Sequence, residues 1–299
     1  MTAPRTNLLP SLAVIVSGVL WGLFWMPFRA LGESGFEGGW ASLAFYLGST
    51  LLLVPAALIR WRRLRSAGWS LLFTGAIAGA AFSLYATALL LTEVVRVLLL
   101  FYLTPVWGTL LGRALLGERI TVGRGVALAL GLTGLMIILG VESGFPLPRN
   151  GGDWIALIAG VAWAYGSLRI YSRPRIEPYE TVFAFFAGGT LVTAAVALLP
   201  IAGNEVIPTS SVLGLGWPWL ALLIALFGVP PVAMVLWGAS RLSPGRVGIL
   251  LMGEAIVGVA SAALWSGERF GLREALGTLL IVGAALAETT RRPSAVAER

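Results

Sequence analysis

The chain has 299 residues, 58% of them hydrophobic and only 12% charged, with a net charge of +7 and a mean hydropathy of +0.88. A soluble domain carries about a quarter charged residues, so this much apolar surface cannot hide in one water-exposed core. There is no cysteine, histidine or lysine, which excludes disulfides, thiol nucleophiles, a Walker lysine and most zinc or haem chemistry. The basic groups are all arginine and fall between apolar stretches, as topology signals do, rather than in a nucleic-acid patch.

In chain order, apolar segments of spanning length are expected at 8–31, 39–59, 69–91, 94–115, 121–141, 153–172, 179–201, 217–240, 244–266 and 271–289. About 20 residues cross a bilayer as a helix. Lipid requires each backbone polar group to be satisfied within its own segment, so the spans are helical. The first stretch is too long for a signal-peptide core and lacks a small-residue cleavage site, so it is read as a retained span. Connections near 142–152 and 202–216 are rich in Gly, Pro, Asn and Ser and are read as loops. Residues 290–299 form a charged tail.

Placing the N-terminus in the cytoplasm puts 16 arginines on that side and five on the other, while acidic residues run eight outside to five inside. The bias predicts ten spans with both termini cytoplasmic. Five spans per half is an odd number, so the halves, 8–141 and 153–289, must be inverted relative to one another. A block is repeated to match. Residues 96–119 align with 246–269 at an offset of 150 without a gap, sharing Arg96/Arg246, Val97/Val247, Leu100/Leu250, Gly108/Gly258 and the Gly-Glu-Arg at 117–119 and 267–269. In register, Arg113 becomes Ala263 and Arg124 becomes Glu274, the swap that inversion demands. Gly18-Val-Leu-Trp21-Gly22 likewise resembles Gly160-Val-Ala-Trp163-Ala164, both small-xxx-small patterns that let helices approach closely. The fold class expected is an all-α polytopic membrane protein of ten transmembrane helices in two inverted five-helix repeats. Such repeats are a device of secondary transporters.

The block Leu103-Thr104-Pro105-Val106-Trp107, followed by Leu115-Leu116-Gly117-Glu118-Arg119-Ile120-Thr121, resembles the drug/metabolite transporter superfamily in its EamA-type branch. The second copy, Met252-Gly253-Glu254-Ala255-Ile256 and then Gly267-Glu268-Arg269, is a weaker match. Many members carry Glu-Pro at this position; this chain splits the pair into Thr104-Pro105 and Glu254-Ala255. The resemblance covers 11–288. The aromatic-rich helices are most similar to the bacterial aromatic and broad-specificity amino-acid exporters. That resemblance implies a multi-pass inner-membrane exporter of amino acids or related small metabolites, with no cofactor, metal or catalytic residue. Multidrug or cationic-compound efflux is the alternative; a channel or receptor and a membrane enzyme stay as further classes.

Glu254 is the single acid expected near mid-span, where a carboxylate costs about 2.5–3.5 kcal/mol on insertion scales. It is read as a proton or substrate-amine site, against a buried structural acid. Trp21, Trp25, Phe82, Tyr85, Tyr102 and Trp163 lie at depth and would line a cavity suited to zwitterions with apolar or planar side chains, with a cation–π contact to the amine; helix packing is the competing reading for each. Pro27, Pro105, Pro230 and Pro231 interrupt spans and are read as hinges or fixed kinks. Glu118-Arg119 and Glu268-Arg269 are read as structural turn-orienting pairs. The partners expected are a small-molecule substrate and the lipid bilayer, without nucleic acid, and the chain is expected to act as a monomer.

Overall fold

The computed structural model describes residues 8–36, 39–92, 94–139, 147–172, 178–199, 207–265 and 271–289. The tail, Glu93, Glu142 and the second Gly-Glu-Arg at 267–269 lie outside them. Every regular element among the described residues is helical. The ten rods are, in order, Leu8–Gly22 with Trp25–Glu33, Gly39–Ile59, Trp61–Leu91, Val94–Phe101 with Thr104–Leu116, Val122–Leu139, Gly151–Tyr171, Pro178–Ala197, the run from Ser210–Leu222 to Val229–Ala239, Pro244–Leu251 with Gly253–Trp265, and Leu272–Thr289. Eight are long and apolar enough to cross a membrane. The fifth contains the shorter apolar helix Val122–Ile138. The tenth, which carries Arg273, Glu274 and Glu288, packs along it.

Three departures from the sequence expectation have physical causes. The third rod begins eight residues early. Gly68 takes φ 75 there, so residues 61–67 leave the axis of the span and Trp69 starts it. The eighth begins seven residues early, at Ser210, and contains the π-helical turn Leu223–Gly228. The first, fourth and ninth spans are each two helices, broken at Leu23–Phe24, at Tyr102–Leu103 and at Met252. The last two breaks are equivalent under the 150-residue offset.

The halves exchange partners. The first span packs along the eighth and ninth, and the sixth packs along the third and fourth. This is the pairing a two-fold relation between the halves produces. Small residues set the closest approaches, as lipid-embedded packing requires. In the third span Gly75 and Gly79 meet the seventh at Ala184 and Phe185, while Gly188 of the seventh meets Ala76. Gly134 and Gly277 face each other where the fifth and tenth cross. The tryptophans at span ends, Trp61, Trp69, Trp154, Trp217, Trp219 and Trp265, are exposed as an interfacial belt would be.

Buried ion pairs tie the ends. Arg96 meets the carboxylate of Asp153, which is 0% exposed and also accepts from Thr92 Oγ1 at 2.8 Å and the Arg149 backbone N–H at 2.8 Å. The repeat mate of Arg96, Arg246, donates to Ser11 Oγ at 3.0 Å at the opposite end. Arg60 pairs with the buried Glu180 at 2.8 Å, and Arg124 bridges Glu118 (2.9 Å) to Ser243 (2.7 Å). Glu118 thus holds an arginine that reaches across to the other half.

Candidate functional site

Glu254 stands in the first turn of Gly253–Trp265, just past the break in the ninth span. The preceding helix, Pro244–Leu251, is buried throughout, whereas Gly253 to Gly258 are half-buried. That change coincides with the crossing of the first span. A Cβ on Gly22 would come within 2.7 Å of the Glu254 carbonyl, and one on Gly18 within 3.5 Å of its backbone N. Glycines at 18 and 22 therefore let the acid sit at the helix crossing. The Tyr102 hydroxyl stands beside its carboxylate, with Tyr85 within electrostatic reach of both. Tyr102 stands at the break in the fourth span. The two broken helices, mates in the repeat, thus bring a hydroxyl and a carboxylate together. Among the described residues no basic side chain forms an ion pair with Glu254.

Aromatic rings form the wall beside this pair. Tyr85 lies 4.5 Å from Phe101 between ring centroids, and Phe101 lies 5.7 Å from Phe82. Phe82 is held between Trp21 and Trp163, 4.9 Å from each. Trp21 and Trp163 are repeat mates, so they flank Phe82 from the two halves. Trp163 is 1% exposed and meets Phe82 edge to face, behind the half-buried Trp21, Phe82 and Tyr85. Trp25 turns toward the ninth span, donating from Nε1 to Ser261 Oγ at 2.9 Å.

The proline positions have separate consequences. Pro231 has no N–H, so the carbonyl of Phe227 four residues back loses its helical donor. The chain widens there into the π turn, and the Trp21 indole N–H caps that carbonyl at 3.2 Å. Pro230 occupies the same bend. Pro105 likewise leaves the Phe101 carbonyl without its i+4 donor, and the Thr104 hydroxyl fills the place at 2.5 Å. Pro27 is buried in Trp25–Glu33, one turn after the break at Leu23–Phe24.

The bundle is asymmetric about the two breaks. Pro244–Leu251 packs against Thr104–Leu116, where Gly108 meets Pro244 and Gly245, and Pro105 meets Gly248. The mirror pair, Val94–Phe101 and Gly253–Trp265, makes no comparable contact among the described residues. The bundle is thus shut at the end carrying Ser11, Pro244 and Gly245 and looser at the other, with Glu254 just beyond the closure. Sequence reasoning did not single out Phe101, Phe227, Ser261 or the buried acids Asp153 and Glu180. The signal for one of them was present: Asp153 is the mate of Ser11 at the same 142-residue offset that relates Trp163 to Trp21.

A solved crystal structure whose description names no function aligns with a TM-score of 0.73 over 93% of this chain and 95% of its own, at 20% identity; this shows the fold alone. No curated protein matches. The family model of the EamA-like transporters matches twice, at residues 8–140 and 150–288, so that each copy carries one broken span of the Tyr102–Glu254 pair. On that match the chain belongs to the EamA-like transporter family.

Proposed function

We propose that the chain is a secondary transporter of the bacterial inner membrane that exports amine-bearing small metabolites, neutral and aromatic amino acids first among them, by alternating access. The observation that carries this is the juxtaposition of Glu254 with Tyr102 at two broken helices beside the Trp21, Phe82, Phe101 and Tyr85 rings. A carboxylate at membrane depth is retained where it has work to do. Here it attracts the amine, the rings take the apolar or planar side chain, and the N-terminus of a half-helix receives the substrate carboxylate. Trp25 and Trp163 brace this wall, and Pro27, Pro105, Pro230 and Pro231 give the spans their bending points. The arginine asymmetry supports cytoplasmic termini. The closed end is then the cytoplasmic one, and the site faces outward.

A second reading is efflux of organic cations. It is favoured by one observation: among the described residues no basic side chain pairs with Glu254 that could hold a substrate carboxylate. Proteoliposomes loaded with labelled amino acids or a quaternary ammonium dye, with and without a pH gradient, separate the two. Transport of phenylalanine or threonine supports the first. Transport of the dye alone establishes the second, and leakage of both without saturation overturns both.

A further inference from the structure

Arg169 is held in an unusual cage. It stands in the last turn of the sixth span, where a helix C-terminus favours a cation. Its Nε donates to Thr74 Oγ1 at 3.0 Å, its Nη2 to Ser70 Oγ at 2.9 Å and its Nη1 to the Tyr165 hydroxyl at 3.3 Å. The guanidinium also lies 5.3 Å from the Phe73 ring centroid and 5.8 Å from that of Tyr165. All these partners are hydroxyls or rings, and among the described residues no carboxylate pairs with it. A guanidinium has five N–H donors and three are used. Tyr165 and Ser70 accept from it through oxygen, which leaves their own protons to give. The group is an array of donors around one positive charge that no carboxylate among the described residues neutralises.

The array opens on the bilayer side of the bundle. Phe73 is 53% exposed and Trp69, one turn before it, is 87% exposed. Tryptophan at this exposure marks the depth of the headgroups. Independently, the bend at Gly68 sets residues 61–67 apart from the span directly before Trp69, and that segment carries the exposed Arg62, Arg63 and Arg65. Each arginine near an anionic membrane surface adds about fivefold to its attraction.

We propose that Arg169, with Ser70 and Tyr165, is a binding site for the headgroup phosphate of an anionic phospholipid, seated between the third and sixth spans beneath the arginine-bearing segment. The lipid phosphate accepts the spare N–H and O–H donors, and its acyl chains lie along Phe73. The site is separate from the Glu254 cavity, and its occupancy is independent of substrate identity.

The test is lipid retention by the intact protein in native mass spectrometry, after purification in detergent and addition of phosphatidylglycerol or phosphatidylcholine. Wild type should retain phosphatidylglycerol at least about fivefold over phosphatidylcholine, and Arg169→Gln should lose most of that preference. Tyr165→Phe, which removes one spare donor but keeps the charge, should lose part of it. Arg241→Gln, at an exposed arginine on a different loop, should not change it. Should Arg169→Gln fail to fold, Arg169→Lys takes its place and should weaken retention while keeping some preference. Equal retention of the two lipids by wild type, or an unchanged preference in Arg169→Gln and Tyr165→Phe, overturns the site. Displacement of the bound lipid by millimolar inorganic phosphate would show a general anion site and overturn the lipid assignment.

Discussion

The Trp21 indole N–H donates to the Phe227 carbonyl oxygen at 3.2 Å, across 206 residues of chain. Phe227 is the acceptor that Pro231 strands, and the same indole ring lies tilted against Phe82, 4.9 Å between centroids. One side chain therefore joins the bend of the eighth span to the aromatic wall. Pro231→Ala restores an N–H that competes for the Phe227 carbonyl. The expected outcome is a thermal stability that holds or rises, by up to about 3 kcal/mol, with slower transport. Transport at the wild-type rate would mean that the bend is only a fixed shape.

Asp153 is fully buried against Arg96, so removing its charge strands a guanidinium in the interior. Asp153→Asn should cost about 3–5 kcal/mol of stability, read as a lowered melting temperature in detergent. The exposed Arg29–Glu33 pair serves as the comparison, since Glu33→Gln should cost no more than about 1 kcal/mol. Equal effects at the two sites would contradict the burial of the first pair.

Glu254→Gln keeps the size and polarity of the side chain beside Tyr102 while removing the charge. Transport of amine-bearing substrates should fall at least about tenfold, the worth of one charge-assisted contact of ~1.5–3 kcal/mol, and any pH dependence should flatten. Proteoliposome rates across a pH series decide it. A parallel profile at the wild-type rate would leave Glu254 a structural acid.

Two glycines make a matched pair of tests. A Cβ at Gly79 would drive into the Phe185 carbonyl, whereas at Gly253 it meets nothing within 4 Å. Gly79→Ala should destabilise by about 1–3 kcal/mol or more, while Gly253→Ala should leave the melting temperature near wild type. Because Gly253 adjoins Glu254, its variant should show any loss in transport. Differential scanning fluorimetry together with uptake assays separates the two effects.

The chain has no cysteine, so single cysteines report topology directly. Ser66→Cys, exposed beside the arginines of 61–67, should react with a membrane-impermeant thiol reagent only after the cells are opened. Labelling in intact cells would reverse the orientation assigned to the bundle.

Much of the helical framework was legible because apolar length and arginine placement are local signals. The equivalent breaks were legible in part: Pro105 and Gly253, each just after one of the matched breaks, are poor helix formers. Asp153 and Glu180 were not read as buried, because at span ends an acid facing solvent and one facing an arginine have the same local sequence. Trp21 gave its depth but not its partner. Nothing near residue 21 says that a carbonyl at 227 has lost its donor; only the pairing of the first span with the eighth reveals it.

The exchange of partners between halves has a consequence for biogenesis. When the first five spans have left the translocon, the third and fourth still lack the sixth, and the first still lacks the eighth and ninth. Glycine faces such as Gly18 and Gly22, which in the finished protein meet the ninth span, then stand open to lipid or to a chaperone. Neither half can mature alone. Two separately synthesised halves would be stable only after meeting in the same bilayer, and a ribosome stalled near residue 150 would leave behind a substrate for membrane quality control.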